Sequence, residues 1–162
     1  MKCGLYSEGD WLYLSLPNGG YVIGLIARSR PGSPIFLGYF FGPRRITIPI
    51  LEDCCGLTAE KAIAVLRCSD LYIRQGKWKL LGRLSEWQRD KWPSPGFVRK
   101  EPISNKVFKV VYSDTDPSKM EREILLPCDD SNMPRNFLAG AAAAELYLDM
   151  QLQMSPHFSF WN

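Results

Sequence analysis

The chain has 162 residues, 46% hydrophobic and 23% charged, with a formal net charge of +3. That length suits one domain that buries roughly 70% of the surface its unfolded form exposes. The charge falls well short of a typical nucleic-acid binder, no apolar run reaches the ~18 residues of a membrane span, and the first fifteen residues carry Lys2, Glu8 and Asp10, so neither a transmembrane helix nor a signal peptide is expected.

The first element is the plainest. In DWLYLSLPNGGYVIGLIAR, residues 10–28, two runs of aromatic and branched residues flank Asn18-Gly19-Gly20, which accept the positive φ of a tight turn. This predicts a β-hairpin. Its second arm is apolar on both faces, which places that strand in the middle of a sheet. RSRPGSP then breaks the chain, and IFLGYFFG resumes as a third, buried strand over residues 35–41, with Gly38 marking a bulge or a close backbone approach. Pro43 is expected to end that strand, leaving Arg44 and Arg45 at its exit, and ITIPI (46–50) reads as a short edge strand.

AIAVLRCSD, residues 62–70, fits a buried strand or the end of a helix begun near Thr58, and the residues that follow favour the strand. A turn at Gln75-Gly76 leads into another strand over 77–84. The next stretch, SEWQRDKWPSPGF, is irregular but too aromatic for disorder. KVFKVVYSD and EREILLP form a second hairpin across an Asp-Pro-Ser turn. A helix closes the chain, capped by Ser131 or Asn132 with Pro134 in its first turn, and Phe137, Ala141, Ala144 and Leu148 at core-packing spacing. The expected fold class is therefore mostly β (α+β): a single domain over residues 1–162, built as a strongly bent antiparallel sheet or small barrel with a C-terminal helix.

Nothing local signals catalysis or a cofactor. The five cysteines (Cys3, Cys54, Cys55, Cys68 and Cys128) cannot all pair and lack zinc-site spacing, which points to a reducing compartment and to no structural metal. The single histidine, His157, lies in the C-terminal SPHFSFWN and reads as a tail residue rather than a base. Glu52-Asp53 and Asp129-Asp130 read as solvated turns, and no phosphate-cradling glycine motif occurs.

The charge is uneven. Residues 67–100 hold nine basic side chains against three acidic ones, whereas from Glu101 onward five basic face nine acidic. Basic residues interleaved with Tyr72, Trp78, Trp87, Trp92 and Phe97 fit a single-strand nucleic-acid surface, but they fit equally a core of rings beneath an ordinary solvated face, or steering toward a protein partner.

Taken together, GDWLYLSLPNGGYVIG, GYFFGPRR, DLYIRQGKWKLLGR and WQRDKWPSPGF resemble immunity protein family 26 of bacterial polymorphic toxin systems, in consistent order from Gly9 to about Phe97. The resemblance implies a cytoplasmic, mostly β protein, not an enzyme, that neutralises a cognate toxin domain by direct binding. The runner-up is a small nucleic-acid-binding β-barrel module. Binding energy in protein interfaces concentrates in tryptophan, tyrosine and arginine, so Arg44, Arg45, Trp87 and Trp92 are the candidate partner-binding residues. For each tryptophan, core and interface placement are equally open. The arginines are expected at the surface, where either can pair with Glu52 or Asp53, and replacing both by alanine is expected to weaken binding without unfolding the protein. The chemistry of the toxin and the oligomeric state are left open.

Overall fold

The structure is a computed structural model and describes residues 4–129 and 132–154. His157 and Cys3 lie outside the described residues. Strands β1 (Asp10–Ser15), β2 (Tyr21–Ser29), β3 (Ile35–Arg45), β4 (Ala64–Ser69) and β5 (Lys79–Arg83) assemble with the two-residue β9 (Leu138–Ala139) into a sheet of order β5-β1-β2-β3-β4-β9. A second sheet, order β6-β7-β8, comprises β6 (Phe97–Lys100), β7 (Val107–Tyr112) and β8 (Met120–Leu126). Helix α1 (Leu71–Arg74) is a single turn and α2 (Ala141–Met154) is the one long helix.

The large sheet is covered on both sides, which is why β2 and β3 are apolar on both faces. On one side α2 lays Ala141, Ala144, Leu148 and Leu152 against Leu12, Leu14, Phe36, Phe40 and Trp78. On the other, Trp11, Ile23, Leu25, Tyr39 and Phe41 meet Phe97, Val110 and Tyr112 of the small sheet, with Trp92 between. Alternation along each strand sends successive side chains to these two cores.

Both predicted hairpins form, as do the strands at 64–69 and 79–83. The sheet does not close, with β5 and β9 as its two edges, so the bent-sheet alternative holds and the barrel does not. Its pairings are antiparallel except β4 with β9, which is parallel. At Gly38 the structure has both a bulge and a close approach. Ile26 pairs with Gly38 and Arg28 with Leu37, so the extra residue, Ala27, sits on the partner strand. A Cβ on Gly38 would fall 2.8 Å from the Phe40 ring and 3.0 Å from that of Phe36, so the glycine makes room for both.

Several boundaries differ from expectation. Pro43 does not end β3, which continues to Arg45. β4 pairs with β3 only as far as Phe40, so beyond that point β3 has a single neighbour, β2, and the proline falls where the register shifts and its missing N–H costs no ladder bond. ITIPI forms no strand: residues 46–50 run from β3 to the 3-10 turn Leu51–Cys54 with Ile46, Ile48 and Ile50 exposed. Residues 71–74, to which no element is assigned from sequence, make the turn of α1, which buries Ile73.

The long helix begins at Ala141, not at Pro134. The Pro134 carbonyl accepts from the Val98 amide at 2.8 Å and the Asn136 amide donates to the Val98 carbonyl at 2.8 Å. Residues 134–139 thus pair with β6 and then β4, and sheet pairing overrides their helix propensity. Gly140 offers the first helical carbonyl, to Ala144. No helix among the described residues is long and apolar enough to cross a membrane.

Candidate partner-binding site

Between the 46–63 and 84–96 connections lies a groove of about 600 Å³. Its apolar surface comes from Trp11, Leu57, Leu84, Trp87, Trp92 and Pro93, and its polar rim includes Glu60, Glu86, Asp90 and Lys91.

Each wall is held from behind. Trp92 stacks edge-on against Trp11, Tyr39 and Phe41, with centroid separations of 5.8, 5.3 and 5.9 Å, and the Tyr39 hydroxyl donates to the Pro93 carbonyl. Burial pushes the Tyr39 phenol up to about 12, so it stays a neutral donor. Arg89, in the 3-10 turn Arg89–Lys91, donates to Glu8 at 2.8 Å and to the Asp114 carboxylate at 2.6 Å. Asp114 also accepts from the buried Arg28 at 2.8 Å. Burial opposes ionisation of Asp114, yet hydrogen bonds from the two guanidiniums hold its carboxyl below the usual range. Arg89 thus fastens the 84–93 loop to the N-terminal turn and to the β7-β8 turn at once.

Trp87 lies against Gly9, whose φ of +93° and whose lack of a Cβ are both required: an added Cβ would fall 2.8 Å from the indole. On the opposite wall Cys54 is buried, its thiol pushed up to about 12 chiefly by that burial, and the Leu57 amide donates to the Cys54 carbonyl at 3.3 Å.

The four predicted residues separate into different environments. Trp87 and Trp92 do come together in the groove, Trp87 half-buried and Trp92 only 7% exposed. Arg45 pairs with Asp53 at 3.3 Å, one of the two partners anticipated, in the 3-10 turn that carries Cys54. Arg44 is not a surface residue. It is 6% exposed and reaches across the opposite core to α2, donating to Asp149 and, at 2.5 Å, to the Gly19 carbonyl. Asp149 is itself buried and accepts from the Asn18 amide and side chain at 3.0 and 2.8 Å. Arg44 therefore locks the β1-β2 turn, the end of β3 and the helix together, because neighbours on a strand face opposite sides of the sheet. Glu60, Glu86, Asp90 and Trp11 were not singled out from sequence. Only the fold brings residue 60 opposite residues 86–90.

The arginines of the basic segment are engaged within the chain. Arg74, Arg83, Arg89 and Arg99 pair with Asp70, Asp10, Glu8 and Glu123, while Arg67 donates to the Pro117 carbonyl at 2.8 Å and stacks on Tyr112 at 3.6 Å. Trp78 is 1% exposed and unavailable to a base. Lys77 does lie 4.3 Å over the Tyr72 ring, and Lys91 lines the groove with Trp87, but the arginines of the segment are engaged within the chain rather than offered to phosphates. Among the described residues no group of three or more His, Cys, Asp or Glu side chains is placed to hold a metal ion.

Comparison with known families settles the lineage. The model of immunity protein 26 matches residues 7–109. The chain belongs to that family. The match starts just before the Gly9 where the sequence resemblance begins and reaches into β7, so it includes every residue of the groove and leaves out β8, β9 and α2. No curated protein matches the chain, and no solved structure does. Family membership makes this an immunity protein by name and favours a non-enzymatic role with a toxin as partner.

Proposed function

We infer that this chain neutralises a cognate bacterial toxin by binding it directly, in the cytoplasm and without chemistry of its own. The observation that carries the reading is the preformed groove floored by Trp87 and Trp92, within the segment that belongs to the immunity family. Stable interfaces bury about 800 Å² on each partner, and their energy is concentrated in central pockets that hold aromatic or arginine anchors. A groove of about 600 Å³ is suited to be such a centre, with the surrounding loops as rim. Its walls are fixed by Arg89 and Tyr39 before any partner arrives, which reduces the ordering cost of association.

The test is co-expression with the C-terminal domain encoded by the gene immediately upstream, followed by size exclusion. Co-elution together with rescued growth is the expected result. A domain that is toxic, yet is neither bound nor neutralised, would refute the reading for that pair.

A further inference from the structure

We propose that the groove accepts an arginine-bearing segment of the partner, with an aliphatic or aromatic neighbour as the apolar anchor. For the identity of the partner this rests on the immunity reading; for the chemistry it rests on the groove alone.

Among the described residues Glu8, Asp70, Asp116 and Asp149 each hold an arginine and Asp114 holds two, whereas the exposed acids of the groove rim do not. What sets the rim apart is that three such carboxylates gather around one apolar groove. Glu60 on one wall and Glu86 and Asp90 on the other are exposed, and none forms an ion pair with a described residue. Lys91 lines the rim and Lys61 reaches it through the Gly56 carbonyl at 3.0 Å, so three carboxylates against two ammonium groups leave the mouth net negative over an apolar floor. Glu60 is held ionised, its carboxyl lowered by hydrogen bonds from its own amide and from Thr58, and its charge is felt as far as Tyr39 beneath the groove.

Two features select arginine among cations. Carboxylates accept its planar fork in bidentate fashion, and an indole face such as that of Trp87 attracts a guanidinium, which sheds water more readily than an ammonium does. The apolar patches of Leu57, Leu84 and Pro93 beside it take the neighbouring side chain. An acidic or uncharged apolar segment would leave the three carboxylates facing a like charge or a desolvated surface.

The experiment is a titration of the intact chain, followed by tryptophan emission, with a blocked arginine-leucine-arginine tripeptide amide and with its glutamate-leucine-glutamate counterpart. Three of the chain's five tryptophans line the groove, so its occupancy alters the signal. Saturable binding of the arginine peptide is expected, with a dissociation constant on the order of 1 mM. The glutamate peptide should give no saturable change. The triple variant Glu60→Gln, Glu86→Gln, Asp90→Asn, altered only at exposed positions, should weaken the arginine peptide about tenfold. Equal response to both peptides, no saturable response to the arginine peptide, or undiminished binding in the triple variant overturns the proposal. The same variant is then tested against the toxin. If the wild-type chain binds the toxin and the triple variant binds it equally well, the groove chemistry is refuted and the immunity reading stands. If the peptide discriminates but the toxin is neither bound nor neutralised, the groove chemistry stands and the immunity reading for that pair falls.

Discussion

Replacing Arg44 by alanine should unfold the protein more easily rather than merely loosen its grip on a partner. In the folded chain Arg44 and Asp149 have side-chain exposures of 8% and 3%, so the substitution strands a buried carboxylate. Removing one partner of such a pair typically costs about 3–5 kcal/mol, because the remaining charge is left uncompensated. Here two Asn18 donors still serve the second carboxylate oxygen, which argues for the lower end, about 3 kcal/mol. The Gly19 carbonyl also loses its donor, but it lies in an exposed turn where water can replace it. Against a total stability of about 5–15 kcal/mol this is a large fraction. With a urea slope of about 2 kcal/mol per molar, the unfolding midpoint should fall by about 1.5 M with the slope unchanged. Arg44→Met combined with Asp149→Leu should recover most of the loss, since an apolar pair of similar volume is often neutral in place of a buried ion pair. Arg45→Ala, which removes a partly exposed pair with Asp53, should cost under about 1 kcal/mol. An Arg44→Ala midpoint within about 0.3 M of wild type, accompanied by lost toxin binding, would show that Arg44 is a contact residue and that the locking role is wrong.

The two groove tryptophans should separate in the same assay. Trp92→Ala opens a cavity among Trp11, Tyr39 and Phe41 and should cost about 3–5 kcal/mol, whereas Trp87→Ala should cost on the order of 1 kcal/mol, and equal losses would contradict their burial. In alkylation at about pH 8, Cys55 and Cys128 should react in the native protein, while Cys54, pushed up to about 12, and Cys68, raised by complete burial, should react only on unfolding; peptide mass spectrometry reads the outcome, and native labelling of Cys54 would contradict its placement. Tyr39 supplies an alkaline signature. Its folded value of about 12 lies above the roughly 10 of an unfolded tyrosine, so its contribution is complete below pH 10 and is lost as pH climbs through the window up to about 12. Tyr39→Phe should flatten that part of the curve of urea midpoint against pH, and an unchanged curve would remove Tyr39 as a contributor.

How much of this was legible beforehand differs from element to element. The Asn18-Gly19-Gly20 hairpin, the buried IFLGYFF strand and the second hairpin follow from local rules, turn residues with positive φ and runs of branched or aromatic side chains, and they stand where those rules put them. The family was also readable from ordered motifs in the same half of the chain, because motifs survive as strings without any knowledge of contacts. The pairing context of backbone amides was not readable. Residues 134–139 have helix-compatible composition, yet they are drawn into pairing with β6 and β4, and Pro43 stays inside a strand because its neighbour on one side has already ended.

The site divides the same way. Trp87 and Trp92 stood out as rings among charges, and both reach the groove, but whether a ring is core or surface depends on what packs behind it, and for Trp92 that is Trp11 of β1 with Tyr39 and Phe41 of β3, all distant in the chain. Adjacent in sequence and identical in type, Arg44 and Arg45 look like one feature. The alternation of a strand turns them into two, one sealed against Asp149 of the helix and one paired with Asp53 beside the groove. Glu60 and the 86–90 loop meet only because the 46–63 and 84–96 connections fold over the same face of the sheet. Composition and local pattern therefore determined the two hairpins, the strands between them and the lineage, but not the short β6 and β9 or the lack of a strand at 46–50. The tertiary structure alone decided which charges are matched internally and which are left facing outward, because that depends on distances between residues far apart in the chain.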